Sequence, residues 1–443
     1  MTRTPSRSVL VLVFGVVLVG ISTISIVQSH PPARAATPPI ISAAGETSRG
    51  PTDAVQVGIA RAQDQLRSEP QNWSVWANLG SAYVQEARIT ADPSYYPKAE
   101  GALKQSLQLH PSGNATAMVG MASLTSARHE FAASLDWATR AQAIAPDTAA
   151  VYGVLDDALT QLGRYPEARL AAQRMLDLRP SISSFARASY DLEEHGDVAG
   201  ATATLQRALA DAFTPADIAF CRYYLGELAF NSGQLSDAAR QYRAGREADP
   251  SYFPLIEGIA KVEAAQGQVE AALRDYNDLL SRVPLPQYVT ELADYEQSLG
   301  RTRDAAAQLA LFDTESRLFI GNGVDIDLES AIIDADHGDP AAAVQHAQAE
   351  WARRHSVLVA DALAWALHRA GRDAEALPYA TQALTLGWHN ALISFHRGMI
   401  ETSLRMNQAA RSDLAAAEST NPYFSTLWGP TARQTLTALG GAP

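Results

Sequence analysis

Apolar positions along this chain fall into two regimes. From Val9 to Val27 they run almost unbroken. Beyond residue 55 they recur three and four positions apart, the spacing of one helix face, in short runs broken by glycine and proline. The breaks keep a beat: Gly163, Gly196, Gly233, Gly267, Gly300, Gly338 and Gly371 are 33, 37, 34, 33, 38 and 33 residues apart. Five positions after each stands an alanine, at Ala168, Ala201, Ala238, Ala272, Ala305, Ala343 and Ala376. Prolines close many of the units, at Pro111, Pro146, Pro180, Pro250, Pro284 and Pro422. Two helical runs in each period of about 34 residues predict a solenoid of helix hairpins. Glycine can turn the chain between antiparallel helices without a Cβ penalty. A small alanine lets those helices approach where they cross, and proline ends the second one.

The segments Trp76, Leu79, Gly80 and Tyr83, and Leu225, Gly226, Gly233, Ala238, Tyr242 and Pro250, carry a further pattern. It resembles that of the tetratricopeptide repeat (TPR) family. The resemblance covers residues 73–424 and implies an all-α fold, a right-handed helical solenoid of about ten TPR-like helix-turn-helix units. Residues 53–72 read as an N-terminal capping helix and 425–443 as a C-terminal capping helix and tail, since a terminal unit has one apolar face without a neighbour. Two units depart from the pattern: the second lacks the turn glycine and the seventh lacks the closing proline.

The first unit is stretched. Counting forward from Trp76 and back from Pro111 places the repeat's alanine slot at Asp92 and at Ala99 respectively, so about two helical turns of chain are inserted. The expected form is a first helix prolonged through Glu86 and Arg88. "TADPSYYP" then crosses to the second helix, Asp92-Pro93 marks the turn, and Tyr95 and Tyr96 fold over the helix tips.

The apolar run near the start changes the picture of location. Arg3 and Arg7 precede it and Ala33-Arg34-Ala35 follows it, the layout of a secretory leader with its cleavage site. The run is also long enough to span a bilayer. Residues 1–36 therefore read as a signal peptide or N-terminal signal anchor and 37–52 as a flexible linker. The expected location is extracytoplasmic, either secreted or anchored to the cell membrane by this segment, with no other membrane contact.

The formal net charge is −13, and removal of residues 1–36, with three arginines and no acid, leaves −16. Such a surface repels phosphate backbones and argues against nucleic-acid binding. Cys221 is the only cysteine, so paired-cysteine zinc and CxxC redox chemistry are excluded; it reads as a small buried residue.

No phosphate loop, HExxH, nucleophile elbow or kinase set occurs, and no segment of catalytic-domain size remains outside the repeats. The expectation is a protein that is not an enzyme and carries no cofactor. "EEHGD" (193–197) and "ADHGD" (335–339) could supply metal ligands, but His195 and His337 hold the same repeat position, just before Gly196 and Gly338. They read as helix C-terminal caps, with Asp197 and Asp339 starting the next helices.

The TPR resemblance implies peptide binding in a concave groove lined by first helices. Alignment turns Asp157, Tyr190, Glu194, Tyr223, Glu227, Glu257, Lys261, Asp294, Glu329 and Asp361 toward it. Only one is lysine, which disfavours the family's carboxylate clamp of lysines and asparagines. The partner expected is a basic protein or peptide, with Tyr190 and Tyr223 giving flat contact area; solvated helix faces of an acidic protein would look much the same. The reading is a protein-protein interaction scaffold at the cell envelope. Alternatives are a metal-handling or enzymatic protein with an untypical site among the repeats, or a self-assembling structural module.

Overall fold

A computed structural model describes residues 51–441. The leader expected over 1–36, and the linker expected over 37–52 save its last two residues, lie outside the described residues. The described chain is all-α, with twenty-two helices in paired packing. α1 (Pro51–Ser68) packs on the first of ten hairpins. The first five are α2 and α3 (Trp73–Thr90, Tyr95–Leu109), α4 and α5 (Ala115–Ala127, Phe131–Ile144), α6 and α7 (Ala149–Gln161, Tyr165–Leu178), α8 and α9 (Ile182–Glu194, Val198–Ala210), and α10 and α11 (Pro215–Asn231, Leu235–Ala248). The next five are α12 and α13 (Pro254–Ala265, Val269–Arg282), α14 and α15 (Pro286–Ser298, Thr302–Gly321), α16 and α17 (Asp327–His337, Pro340–Arg353), α18 and α19 (Val357–Arg369, Asp373–Ala383), and α20 and α21 (Ala391–Ser403, Asn407–Thr420). α22 (Gly429–Ala438) packs on α21. The architecture is a TPR-like solenoid.

The turn chemistry acts locally. α3, α5, α7, α11, α13 and α21 each end two residues before a proline. The residue between, such as Arg179 (ψ 94°) or Asn421 (ψ 102°), is pushed out of helical backbone by the proline ring that follows. The seven alanines of the beat are all buried. Six of the seven turn glycines have φ between 71° and 80°; Gly338 does not, because α16 gives way to α17 through an extended residue rather than a left-handed one. Where the second unit lacks its glycine, His129 takes the left-handed slot at φ 62°, and Arg405 does so in the tenth at φ 59°.

Glycines inside the first helices serve packing instead. Leu103 of α3 inserts between Gly80 and Gly120, where a Cβ would lie 2.5 Å from it on either side. Tyr242 of α11, with no exposed surface, inserts in the same way between Gly226 and Gly258. Gly258→Val should cost about 1–3 kcal/mol through overpacking on the Tyr242 ring, read as a lowered urea midpoint. An unchanged midpoint would show that the ring can move aside.

In the first unit α2 is prolonged to Thr90, as its sequence suggests, but the crossing is shorter than expected. Only residues 91–94 connect the helices; Ala91 turns the chain at φ 73°, and Asp92 Oδ1 accepts from the Ser94 amide at 2.9 Å. Tyr95 and Tyr96 are not part of the crossing. They begin α3, with Tyr96 buried and Tyr95 tilted against Tyr83 at 5.8 Å. In the seventh unit the missing proline lets α15 run for 20 residues.

First helices of successive units pack directly on one another (α2 on α4, α4 on α6, α6 on α8, α10 on α12, α16 on α18, α18 on α20), whereas second helices do not pack so. The first helices therefore line the concave side. The curvature is tight enough that one superhelical turn meets the next. The turn of the second unit meets the junction after α15: His129 Nδ1 lies 2.7 Å from the Asp325 carbonyl, and the Asp325 amide donates to the Arg128 carbonyl at 3.1 Å. The turn of the third meets the junction after α17, where Arg354 donates to Gln161 and the Val357 amide donates to the Tyr165 hydroxyl at 2.8 Å. A Cβ on Gly163 would lie 2.5 Å from the His355 carbonyl oxygen, so glycine is needed there for the approach as well as for its φ. Gly196 faces Gly387 and His389, and Gly233 faces Pro422. The concave groove is thereby closed at its side into a lumen.

Candidate functional site

The inward residues form ladders one repeat apart. Tyr223 of α10 donates to Glu257 of α12 at 3.3 Å, and Lys261 Nζ reaches Glu227 at 2.8 Å; both pairs are 34 positions apart. Lys261 also lies 2.6 Å from Glu257, one helical turn away. Burial works against the Lys261 charge, but Glu227 and Glu257 outweigh it, so it stays an ammonium with a raised pKa. Glu291 of α14 extends the same ladder and takes a 3.4 Å bond from Tyr276. Burial, then the charge of Glu257, push its carboxyl well above the usual range. Two acids, Glu227 and Glu257, thus contact the one ammonium, with Glu291 next on the ladder, and Tyr242 donates its hydroxyl to Glu227 at 2.5 Å. Tyr223 stands edge-on to Tyr224 and Tyr252 at 5.1 and 6.1 Å.

The other expected groove residues are also engaged within the chain. Asp157 of α6 is held bidentate by Arg187 of α8, at 2.8 and 2.7 Å, with both side chains buried. Beside them Asp156 is pushed well above its normal range by burial and then by the Asp157 charge. Tyr190 is buried edge-on against Trp388 at 6.3 Å, across the closure. Glu194, one turn on, is buried with it and raised well above 4.5 by burial. Asp294 lies 2.6 Å from His337 Nε2, and Asp361 lies 3.0 Å from His396 Nδ1. Glu329 is 1% exposed, and neither of its oxygens has a hydrogen-bond partner; burial raises it to about 8, with His129 Nδ1 3.8 Å away.

His195 donates from Nδ1 to the Asp191 carbonyl at 2.7 Å, closing α8. His337 ends α16 but turns its ring to Asp294 and to Gln297, 3.1 Å away. Burial disfavours its charge, yet the Asp294 hydrogen bond and charge outweigh this and raise its pKa. Asp197 and Asp339 cap the following helices by accepting the Gly200 and Ala341 amides, each at 2.8 Å. Among the described residues one group of three carboxylates has metal-like spacing, Asp325, Asp327 and Glu350. Arg353 Nη2 lies 2.8, 2.6 and 2.5 Å from them and fills the place of a cation. Cys221 is buried, its thiol pushed up to about 12 by burial. No described helix is long and apolar enough to cross a membrane.

Arg187 and Glu291 were missed by alignment to a first-helix pattern. Glu291 could have been found, since it follows Glu257 by one repeat; Arg187 occupies no such ladder position, and only the fold shows its pairing.

No family model matches the chain. Over 220 residues it is 28% identical to the cellulose synthase 1 operon protein C of Komagataeibacter xylinus; the match takes in 48% of this chain but only 14% of that protein's length. A thermophilic TPR protein of Thermus thermophilus, TTC0263, is 22% identical at a TM-score of 0.35, covering 38% of this chain and 91% of its own. The human IFIT1 dimer with m7Gppp-AAAA is 15% identical at 0.46, covering 75% and 77%. What this chain shares with repeat proteins is the fold, an all-α TPR-like solenoid of paired helices.

Proposed function

We propose that the protein is a non-enzymatic binding scaffold whose lumen takes an extended, basic segment of a partner protein. The observation that carries this reading is the surplus of carboxylates over ammonium on the inner ladder, where Glu227, Glu257 and Glu291 share Lys261 among tyrosine rings. A lysine or arginine brought in by a partner would favour the charged form of Glu291 and lie against flat aromatic surface. The residues that carry it are Tyr223, Glu227 and Glu257 on the ladder, with Asp157, Tyr190, Glu194, Asp294 and Asp361 setting the field around them.

Titrating a labelled lysine- and arginine-rich peptide against an acidic one, by fluorescence anisotropy at low salt, tests this. The basic peptide should bind, and Glu227→Gln with Glu291→Gln should weaken it about tenfold, or ~1.4 kcal/mol. Equal binding of the acidic peptide would sink the reading.

The same proposal places the scaffold outside the cytoplasm, supported by the charged, apolar and A-x-A segments of residues 1–36. Cell fractionation with N-terminal sequencing should find the chain cleaved near Ala35 or held at the membrane; an intact chain in the cytoplasmic fraction would refute this.

A further inference from the structure

The contact between superhelical turns is not uniform along its length. At one end it is apolar: a single buried cluster joins Leu79, Tyr96, Leu103 and Leu124 of the first two units to Leu285, Tyr288, Phe319 and Ile326 of the seventh unit and its two flanking junctions. At the other end no buried apolar cluster, among the described residues, joins the third to fifth units with the eighth to tenth. There the turns meet through hydrogen bonds of Arg354 to Gln161 and of the Val357 amide to Tyr165, through Tyr190 edge-on to Trp388, and through backbone faced by Gly163, Gly196 and Gly233. A cavity of about 220 Å³ remains in this polar stretch, lined by Glu193, Val198, Leu228, Asn231, His389 and Thr420.

Burying apolar area stabilises a contact in proportion to that area. A hydrogen bond exchanged for one to water contributes only about 0.5–1.5 kcal/mol net. The two ends of the closure should therefore differ in their opening free energy. We propose that the closure is a gate: the eighth to tenth units swing away from the third to fifth at the polar end while the apolar end holds as a hinge. Opening there exposes the lumen from the side, so a segment in the middle of a partner chain can be taken up without threading. That use of the gate rests on the binding role proposed above; the gate itself does not.

Hydrogen exchange of the full chain without ligand, read by mass spectrometry, tests it. Peptides covering 161–165 and 354–357 should exchange together through a partial opening, while those covering 283–288 and 319–326 stay protected to the global limit. Tyr165→Phe removes the hydroxyl that accepts from the Val357 amide. It should speed exchange of both polar-end segments by about fivefold and leave the apolar-end segments unchanged. As a second reading, small-angle scattering of this variant should give a larger radius of gyration with unchanged helix content by circular dichroism. Exchange of both ends at one common rate, or prior opening of the apolar end, would overturn the proposal. Failure of basic-peptide binding with the exchange pattern intact would count against the binding role alone.

Discussion

Arg187→Ala should lower the stability of this protein by about 3–5 kcal/mol, because it strands the buried carboxylate of Asp157. Asp157 receives two bonds from the guanidinium, at 2.8 and 2.7 Å, and Asp156 lies beside it with its nearest oxygen 3.7 Å from Arg187. Both acids and the arginine are nine-tenths buried or more, so water cannot replace the lost partner without opening the packing of α6 on α8. Arg187→Met combined with Asp157→Leu removes both charges and should recover most of the loss, since an apolar pair of similar volume avoids the desolvation of two ions. Urea unfolding of the wild type and the two variants measures this. A single variant as stable as the wild type would show that the acids take up protons at no cost, and the ion pair would then hold nothing together.

The second large effect is a loss of stability as the pH rises from 4.5 to about 8. Burial raises Glu329 to about 8 and Glu193, Glu257 and Glu315 to about 7, each from 4.5. A carboxyl raised in the folded state contributes stability that is full below 4.5 and is lost as the pH climbs through its folded value. Their contribution therefore drains away between pH 4.5 and about 8. His129 runs the other way: burial, aided by the Arg354 charge, lowers it from 6.5 to about 4, so its contribution is full above 6.5 and lost as the pH falls through 4. Between pH 4.5 and 6.5 the four carboxyls together outweigh the single imidazole, which only lessens the fall. Glu329, with no bond to either oxygen, should dominate the alkaline limb. At ~1.4 kcal/mol per pKa unit its shift corresponds to at most about 5 kcal/mol. Glu329→Gln should raise the urea midpoint at pH 8.5 and flatten the alkaline limb. A midpoint that rises from pH 6 to 8.5, or a variant with the wild-type profile, would contradict this account.

Legibility followed the range of the physics. Glycine, alanine and proline at the repeat positions act within a few residues, so the hairpins and most of their ends could be read from spacing. His129 and Arg405 show where local reading stopped, since a left-handed residue can be supplied by a side chain that pattern does not name. Proline at 93 marked the crossing of the first unit, yet the tyrosines after it belong to a helix, because burying Tyr96 outweighs the punctuation. The inward position of the acids was readable; their partners were not. Arg187 and His396 reach them from the first helix of the adjacent unit, and Trp388 meets Tyr190 only once the small rotation between units has been summed over the superhelix. The closure lies further still from sequence, its hydrogen bonds joining positions 192 to 197 residues apart.

That closure alters how the chain should reach its fold. An open solenoid touches only its nearest neighbours, so its units can form in any order and its folding rate depends little on length. Here the apolar cluster of the first units is complete only when the seventh unit and its flanking junctions arrive. Mean sequence separation of contacts rises, and with it the entropy of loop closure to be overcome before the contacts form. During synthesis the first two units must wait for nearly two hundred further residues before that face is covered. Until then the emerging chain carries an open apolar face.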